Sequence, residues 1–176
     1  RVTTTTGFGT LWLAPRLPQL YEKYPDLNVD LMLEERVLDL PMREADVAIR
    51  MKEPSQADLI RKRLMSVHMR LYASADYLKE RGHPETLNNF SNHRLICQNP
   101  NAPQVAVSAA LVQKLISYRP KSTLTVNNYF GVLQGVINNL GIGVLPDYVT
   151  HDFSELVRVL PEIENAEVPV FLAYPE

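Results

Sequence analysis

The chain has 176 residues, with 18 Lys+Arg against 20 Asp+Glu, four His, one Cys and a formal net charge of −2. That length fits one domain or two small lobes with a core that needs no staples. A single Cys97 excludes an internal disulfide, the apolar runs fall well short of the ~20 residues of a membrane helix, and the charge balance is a poor match to a nucleic-acid backbone.

In chain order, 1–5 reads as a β-strand, followed by Gly7 and Gly9 and then a helix. Leu13, Leu17, Leu20, Tyr21 and Tyr24 share one face of that helix. Thr6 or Thr10 is the expected cap, and Pro15 and Pro18 predict a kink before the helix ends ahead of Pro25. Val29, Leu31 and Leu33 alternate as a half-buried strand. A short helix is expected over 37–44, and 46–51 reads as a buried strand. Residues 59–64 and 67–73 read as two further strands. Strand–helix–strand–helix–strand predicts a parallel sheet with right-handed crossovers.

The alternation restarts at Ser74. A helix is expected over 75–81, stopped by Gly82 in a left-handed conformation, then a helical turn over 85–90 and a strand over 95–98. A helix over 105–116 presents Val107, Leu111, Leu115 and Ile116. A strand over 123–126 leads into a helix over 127–139 with Val132, Leu133, Val136, Ile137 and Leu140 on one face. Strands over 141–145, 156–160 and 168–174 complete the chain, with a helical turn over 147–153. The fold class is α/β, as two small lobes in series.

Few residues carry a chemical signature. Cys97 lies four residues from His93, but no Gly-x-Ser-x-Gly elbow accompanies them, and a small buried core cysteine is favoured over a redox-responsive thiol. The four histidines are scattered, which argues against a metal centre, and no phosphate loop or dinucleotide fingerprint is present. No cofactor and no catalytic residue are expected. Arg61-Lys62-Arg63 reads as a solvated edge. Two polar segments stand out. Thr3-Thr4-Thr5-Thr6-Gly7-Phe8-Gly9 joins the first strand to the first helix, where free N–H groups can receive an anion; a plain capped turn is an equally weighted reading. Asn127-Asn128-Tyr129 opens a helix in the second lobe. Ligands of open α/β sheets bind at such carboxyl ends of strands.

Four segments carry a resemblance to a known family: Leu13-Ala-Pro-Arg-Leu-Pro with Tyr24-Pro25, Asp46-Val-Ala-Ile-Arg50, Tyr72-Ala-Ser-Ala-Asp-Tyr-Leu78, and Leu140-Gly-Ile-Gly-Val-Leu-Pro-Asp147. Together they resemble the effector-binding domain of LysR-type transcriptional regulators. Residues 99–104 and 125–131 resemble, more narrowly, an alphaproteobacterial subgroup (LsrB/VtlR-like).

The resemblance implies the type 2 periplasmic-binding-protein fold: two Rossmann-like subdomains with a ligand cleft, subdomain I over 1–73 and 171–176, subdomain II over 74–170. It implies strand crossings near 71–75 and 171–175. It also implies that a winged helix-turn-helix and linker helix precede this chain and that a further helix follows it. The implied effector site comprises Thr4, Thr5, Thr6, Phe8, Glu34 and Arg50 from the first lobe. The second lobe adds Gln98, Asn99, Pro100, Asn127 and Asn128. Glu34 disfavours an anionic ligand unless Arg50 neutralises it. The implied partners are a small-molecule effector, a second copy in a homodimer or homotetramer, DNA only through the N-terminal domain, and RNA polymerase, with no membrane and a cytoplasmic location. The dimer would set 11–24 of one subunit against 128–140 of another, with Leu11 and Trp12 in an exposed patch. The function expected is effector sensing rather than catalysis. The alternatives are a freestanding solute-binding protein, an enzyme using the cleft, or redox sensing through Cys97.

Overall fold

A computed structural model describes residues 1–36, 44–102, 105, 108–163 and 166–176. The contacts divide these into two compact units, Arg1–Ser66 with Pro169–Glu176, and Val67–Val168.

In the first unit, β1 (Val2–Thr4) pairs in parallel with β2 (Leu31–Leu33) on one side and β3 (Val47–Arg50) on the other. β3 in turn pairs antiparallel with β9 (Ala166–Pro175), Ile49 opposite Leu172. Ala45, Ala48, Leu59 and Ala173 pack together in this core, with Met32 against them. After β1 the chain is helical from 6 to 23, but its winding changes along the way. A turn of α-helix (α1, Thr6–Phe8) widens to π over Gly9–Leu13, tightens to 3-10 over Ala14–Arg16, and resumes as α2 (Leu17–Lys23).

The kink expected from the prolines takes this form. Pro15 and Pro18 have no N–H to donate, and the wide turn ends where the Ala14 amide reaches back to the Gly9 carbonyl. Two details of the expected helix are corrected. Tyr21 and Tyr24 are exposed at its far end, whereas Leu13, Leu17 and Leu20 are half-buried. Neither Thr6 nor Thr10 caps it; the Thr10 hydroxyl donates to the Thr6 carbonyl at 2.7 Å. The helix expected over 37–44 falls outside the described residues but for Glu44.

The second unit holds the larger core. β5 (Arg94–Cys97) pairs in parallel with β6 (Ser122–Thr125) and β7 (Ile142–Pro146). β7 runs antiparallel to β4 (Leu59–Ser74), which also pairs with β8 (Leu156–Arg158). α4 (Ala109–Ser117) and α5 (Tyr129–Ile137) bury Leu111, Leu115, Val132, Leu133 and Val136 against this sheet. Ile116 and Leu140, expected on those faces, are exposed instead, and Val107 is outside the described residues. α3 (Ala75–Arg81) is capped by Ser74, whose hydroxyl accepts the Tyr77 amide at 3.0 Å, and stops at Gly82 with φ +84°, a conformation that favours glycine. The turn expected over 85–90 is a 3-10 segment, Leu87–Asn92.

The two strands expected over 59–64 and 67–73 are one continuous strand, β4. Residues 69–74 of it are hydrogen-bonded to β7 and β8, and the division by contacts falls at Ser66/Val67 on β4, where the resemblance implies 73/74. On β9 it falls at Val168/Pro169 rather than 170/171.

Candidate functional site

In the first unit, the expected site residues gather where β1 runs into the helical segment. Thr4 is fully buried, Thr5 is 9% exposed, and Thr5 is the extended residue immediately before α1. Gly9 lets this junction close against β2, because a Cβ there would sit 2.1 Å from Leu33 Cδ2 and 2.9 Å from Thr4 Cγ2. Arg50, at the end of β3, reaches the same place from below. Its Nη1 donates to the Glu34 carbonyl at 2.7 Å and its Nη2 to Thr3 Oγ1 at 2.8 Å. Arg50 is 6% exposed, and its burial pulls the guanidinium below its ordinary value, opposed by the nearby Glu35 and Glu34. Arg50 Nε and Thr4 Oγ1 are buried without a hydrogen-bond partner among the described residues.

Phe8 is placed differently from its expected role. It is 1% exposed and stacks on Trp12, ring centroids 4.8 Å apart, while Arg16 lies over the Trp12 ring at 4.2 Å. It is a core side chain supporting the helical segment, and Trp12 and Leu11 are half-buried rather than an open patch. The Glu34 carboxylate pairs with Arg36 Nε, so the neutraliser expected in Arg50 is bound to the Glu34 main chain instead.

In the second unit, Cys97 lies opposite Thr125 in parallel register. The residues that follow each strand therefore emerge side by side. Gln98 is 3% exposed and its Nε2 donates to the Asn127 carbonyl at 2.9 Å. A carbonyl only accepts, so the amide nitrogen must face it. Gln98 Oε1 is then the other, buried end, and it has no partner among the described residues. Asn128 Nδ2 donates to Asn127 Oδ1 at 2.9 Å, and Asn128 Oδ1 accepts the Gly131 amide at 2.8 Å, which caps α5. Asn99 makes its own turn, its Oδ1 accepting the Asn101 amide at 2.9 Å, with Pro100 beside it. Gln98, Asn127 and Asn128 are thus joined by hydrogen bonds, with Asn99 and Pro100 following Gln98.

Cys97 itself is fully buried, and burial pushes its thiol up to about 11. Thiolate is the reactive species, so the redox reading loses its chemistry. His93 is turned to another partner: its Nδ1 is 2.7 Å from the Tyr77 hydroxyl.

Two residues of the first-unit site lie outside the implied effector set. Thr3 is the buried partner of Arg50, 47 positions away. Glu35 accepts the Thr6 amide at 2.9 Å through Oε1, across 29 positions.

Comparison with known proteins fits this architecture. The family model described as LysR substrate binding domain matches residues 1–176. An uncharacterized HTH-type transcriptional regulator of Haemophilus influenzae is 24% identical over 177 residues, covering 99% of this chain and 62% of that protein. The HTH-type transcriptional activator TtdR of Escherichia coli K12 is 28% identical over 166 residues, 92% of this chain and 54% of TtdR. The chain therefore spans less than two thirds of these relatives. Among solved structures, the CrgA regulatory domain of Neisseria meningitidis matches 99% of this chain and 87% of its own, with TM-score 0.78 and 20% identity. Full-length AphB of Vibrio cholerae matches 100% of this chain and 61% of its own, with TM-score 0.73 and 21% identity.

Proposed function

The chain belongs to the LysR substrate-binding domain family, with its type 2 periplasmic-binding-protein fold, and from that premise we propose that it is the effector-sensing part of a cytoplasmic transcriptional regulator. The observation that carries this reading is the polar lining at the carboxyl ends of parallel strands. Gln98, Asn127 and Asn128 follow β5 and β6, and Thr5 and Arg50 end or follow β1 and β3. Such strand ends are where open α/β sheets hold ligands. A small molecule engaged there shifts the protein between two states in proportion to its differential affinity for them. DNA binding would belong to a winged helix-turn-helix outside this chain. The naming of relatives as transcriptional regulators supports that assignment.

A dimer or tetramer is the form in which such a signal reaches DNA. Exposed Tyr21 and Tyr24 of the first unit and Phe130 and Leu140 of the second supply apolar surface for the expected pairing of 11–24 with 128–140.

The test has two parts. Thermal melting of the chain against a metabolite panel is expected to reveal a compound that raises the transition. In the full-length regulator, Thr5→Ala and Asn127→Ala are expected to abolish the response to that compound while leaving basal DNA binding intact. If no compound shifts the melt and both variants regulate normally, effector sensing at these strand ends is wrong. A native gene without an upstream helix-turn-helix would favour the freestanding solute receptor instead.

A further inference from the structure

The start of the helical segment 6–23 is where an anion would be expected to bind, since its first N–H groups have no partner within the helix. The Thr6 amide is not vacant, however. Glu35 Oε1 accepts it at 2.9 Å. The chain has put a carboxylate of its own in the anion position. Beside it, Arg50 is 6% exposed, with both terminal nitrogens donating to Glu34 O and Thr3 Oγ1. Its Nε and the hydroxyl of fully buried Thr4 have no partner among the described residues. The Glu34 carboxylate lies on the same short segment, paired with the largely exposed Arg36.

We propose that Glu35 is a built-in occupant of this anion position, so that this wall rejects carboxylates and receives an uncharged hydrogen-bonding group, such as a hydroxyl. The ligand part rests on the effector reading above; the occupancy part does not. An incoming carboxylate would have to displace Glu35 from Thr6 and would meet Glu34 as a like charge. An ammonium would meet the Arg50 guanidinium as a like charge, whereas a hydroxyl can donate to a carboxylate and accept from the unpartnered Arg50 Nε. In the second unit, taken by itself, Gln98 Oε1 is a buried acceptor without a partner among the described residues and calls for a donor.

The experiment follows the Thr6 amide by NMR while sodium acetate is added to the wild-type chain and to Glu35→Ala. Wild type is expected to show no saturable shift at Thr6. The variant is expected to bind acetate there about tenfold more tightly or better, the equivalent of one charge-assisted hydrogen bond. Glu35→Gln keeps an acceptor without the charge and should fall between, and it serves as the comparison if Glu35→Ala does not fold. A wild-type Thr6 amide that titrates as strongly as the variant's overturns the proposal. A second arm offers wild type three probes on one four-carbon frame: putrescine, butanediol and succinate. Perturbation of Thr5, Thr6 and Glu35 signals by butanediol supports the ligand class. Perturbation by succinate, by putrescine without butanediol, or by none of the three overturns that class. The effector reading fails separately, on the regulatory phenotype of Thr5→Ala and Asn127→Ala.

Discussion

Replacing Arg50 by Met separates its structural work from any contact with a ligand. The guanidinium makes two charge-assisted hydrogen bonds, to the Glu34 carbonyl and to Thr3 Oγ1, from a residue that is 6% exposed. Hydrogen bonds to a charged group contribute about 1.5–3 kcal/mol each. Thr3 is fully buried, so its hydroxyl is left unsatisfied when the partner goes. Against this stands the relief of a desolvated charge, which costs several kcal/mol to bury. With Met filling most of the volume, the balance is a loss of about 3 kcal/mol. For a chain of this length that is a fall of about 9 °C in melting temperature, at roughly 3 °C per kcal/mol. Arg50→Lys keeps the charge but lacks the planar fork that serves two acceptors at once, and it should lose about half as much. Urea unfolding of wild type and both variants, without added ligand, measures this. If Arg50→Met unfolds at the wild-type midpoint, the arginine does not hold β1, β2 and β3 together as argued, and its burial would have to be explained by ligand binding instead.

Two further outcomes follow from packing and burial. A Cβ on Gly141 would lie 2.4 Å from the Arg94 carbonyl oxygen, main chain that has little room to yield, whereas one on Gly135 would meet the tip of Ile96 at 3.1 Å. Gly141→Ala should therefore cost about 1–3 kcal/mol, and Gly135→Ala, which gains helix propensity inside α5, should be near neutral; equal midpoints in urea would refute the packing argument. For Cys97, the folded thiol at about 11 lies above its ordinary 9.0, so its contribution to stability is complete below pH 9.0 and is lost as the pH rises towards about 11. Cys97→Ala should flatten the decline in unfolding midpoint across that window, and a thiol reagent at neutral pH should leave folded wild type unmodified; rapid labelling without unfolding would restore the redox reading.

The fold was largely legible because its signals are local. Val132, Leu133 and Val136 advertise α5 by spacing alone, Gly82 marks the end of α3, and short β-branched runs mark β3 and β7. The misreadings share one cause. A break was expected at Met65-Ser66, yet β4 runs through it, because a strand's continuity is set by its partners rather than by its own pattern. Tyr21, Tyr24, Ile116 and Leu140 have the right helical spacing, but each sits in the last turn of its helix or just beyond it and is exposed.

For the site, position was legible and role was not. The polar segments at the ends of β1, β5 and β6 could be found because hydroxyls and amides interrupt apolar strands there. What each one does depends on a partner far along the chain. Arg50 is taken up by Thr3 and the Glu34 main chain, Phe8 by Trp12, and Asn128 by the Gly131 amide. Each of these uses its chemistry to hold the strand end in shape. Among the described residues at these strand ends, those with capacity to spare include the Gln98 oxygen, the Thr4 hydroxyl and Arg50 Nε. A carboxylate from Glu35 already occupies the position that Thr6 offers to an anion. The neutral charge balance of the chain thus has a local counterpart, in which the first unit supplies both the anion site and the anion that fills it. Selectivity at that wall then comes from the charge the chain has already placed there.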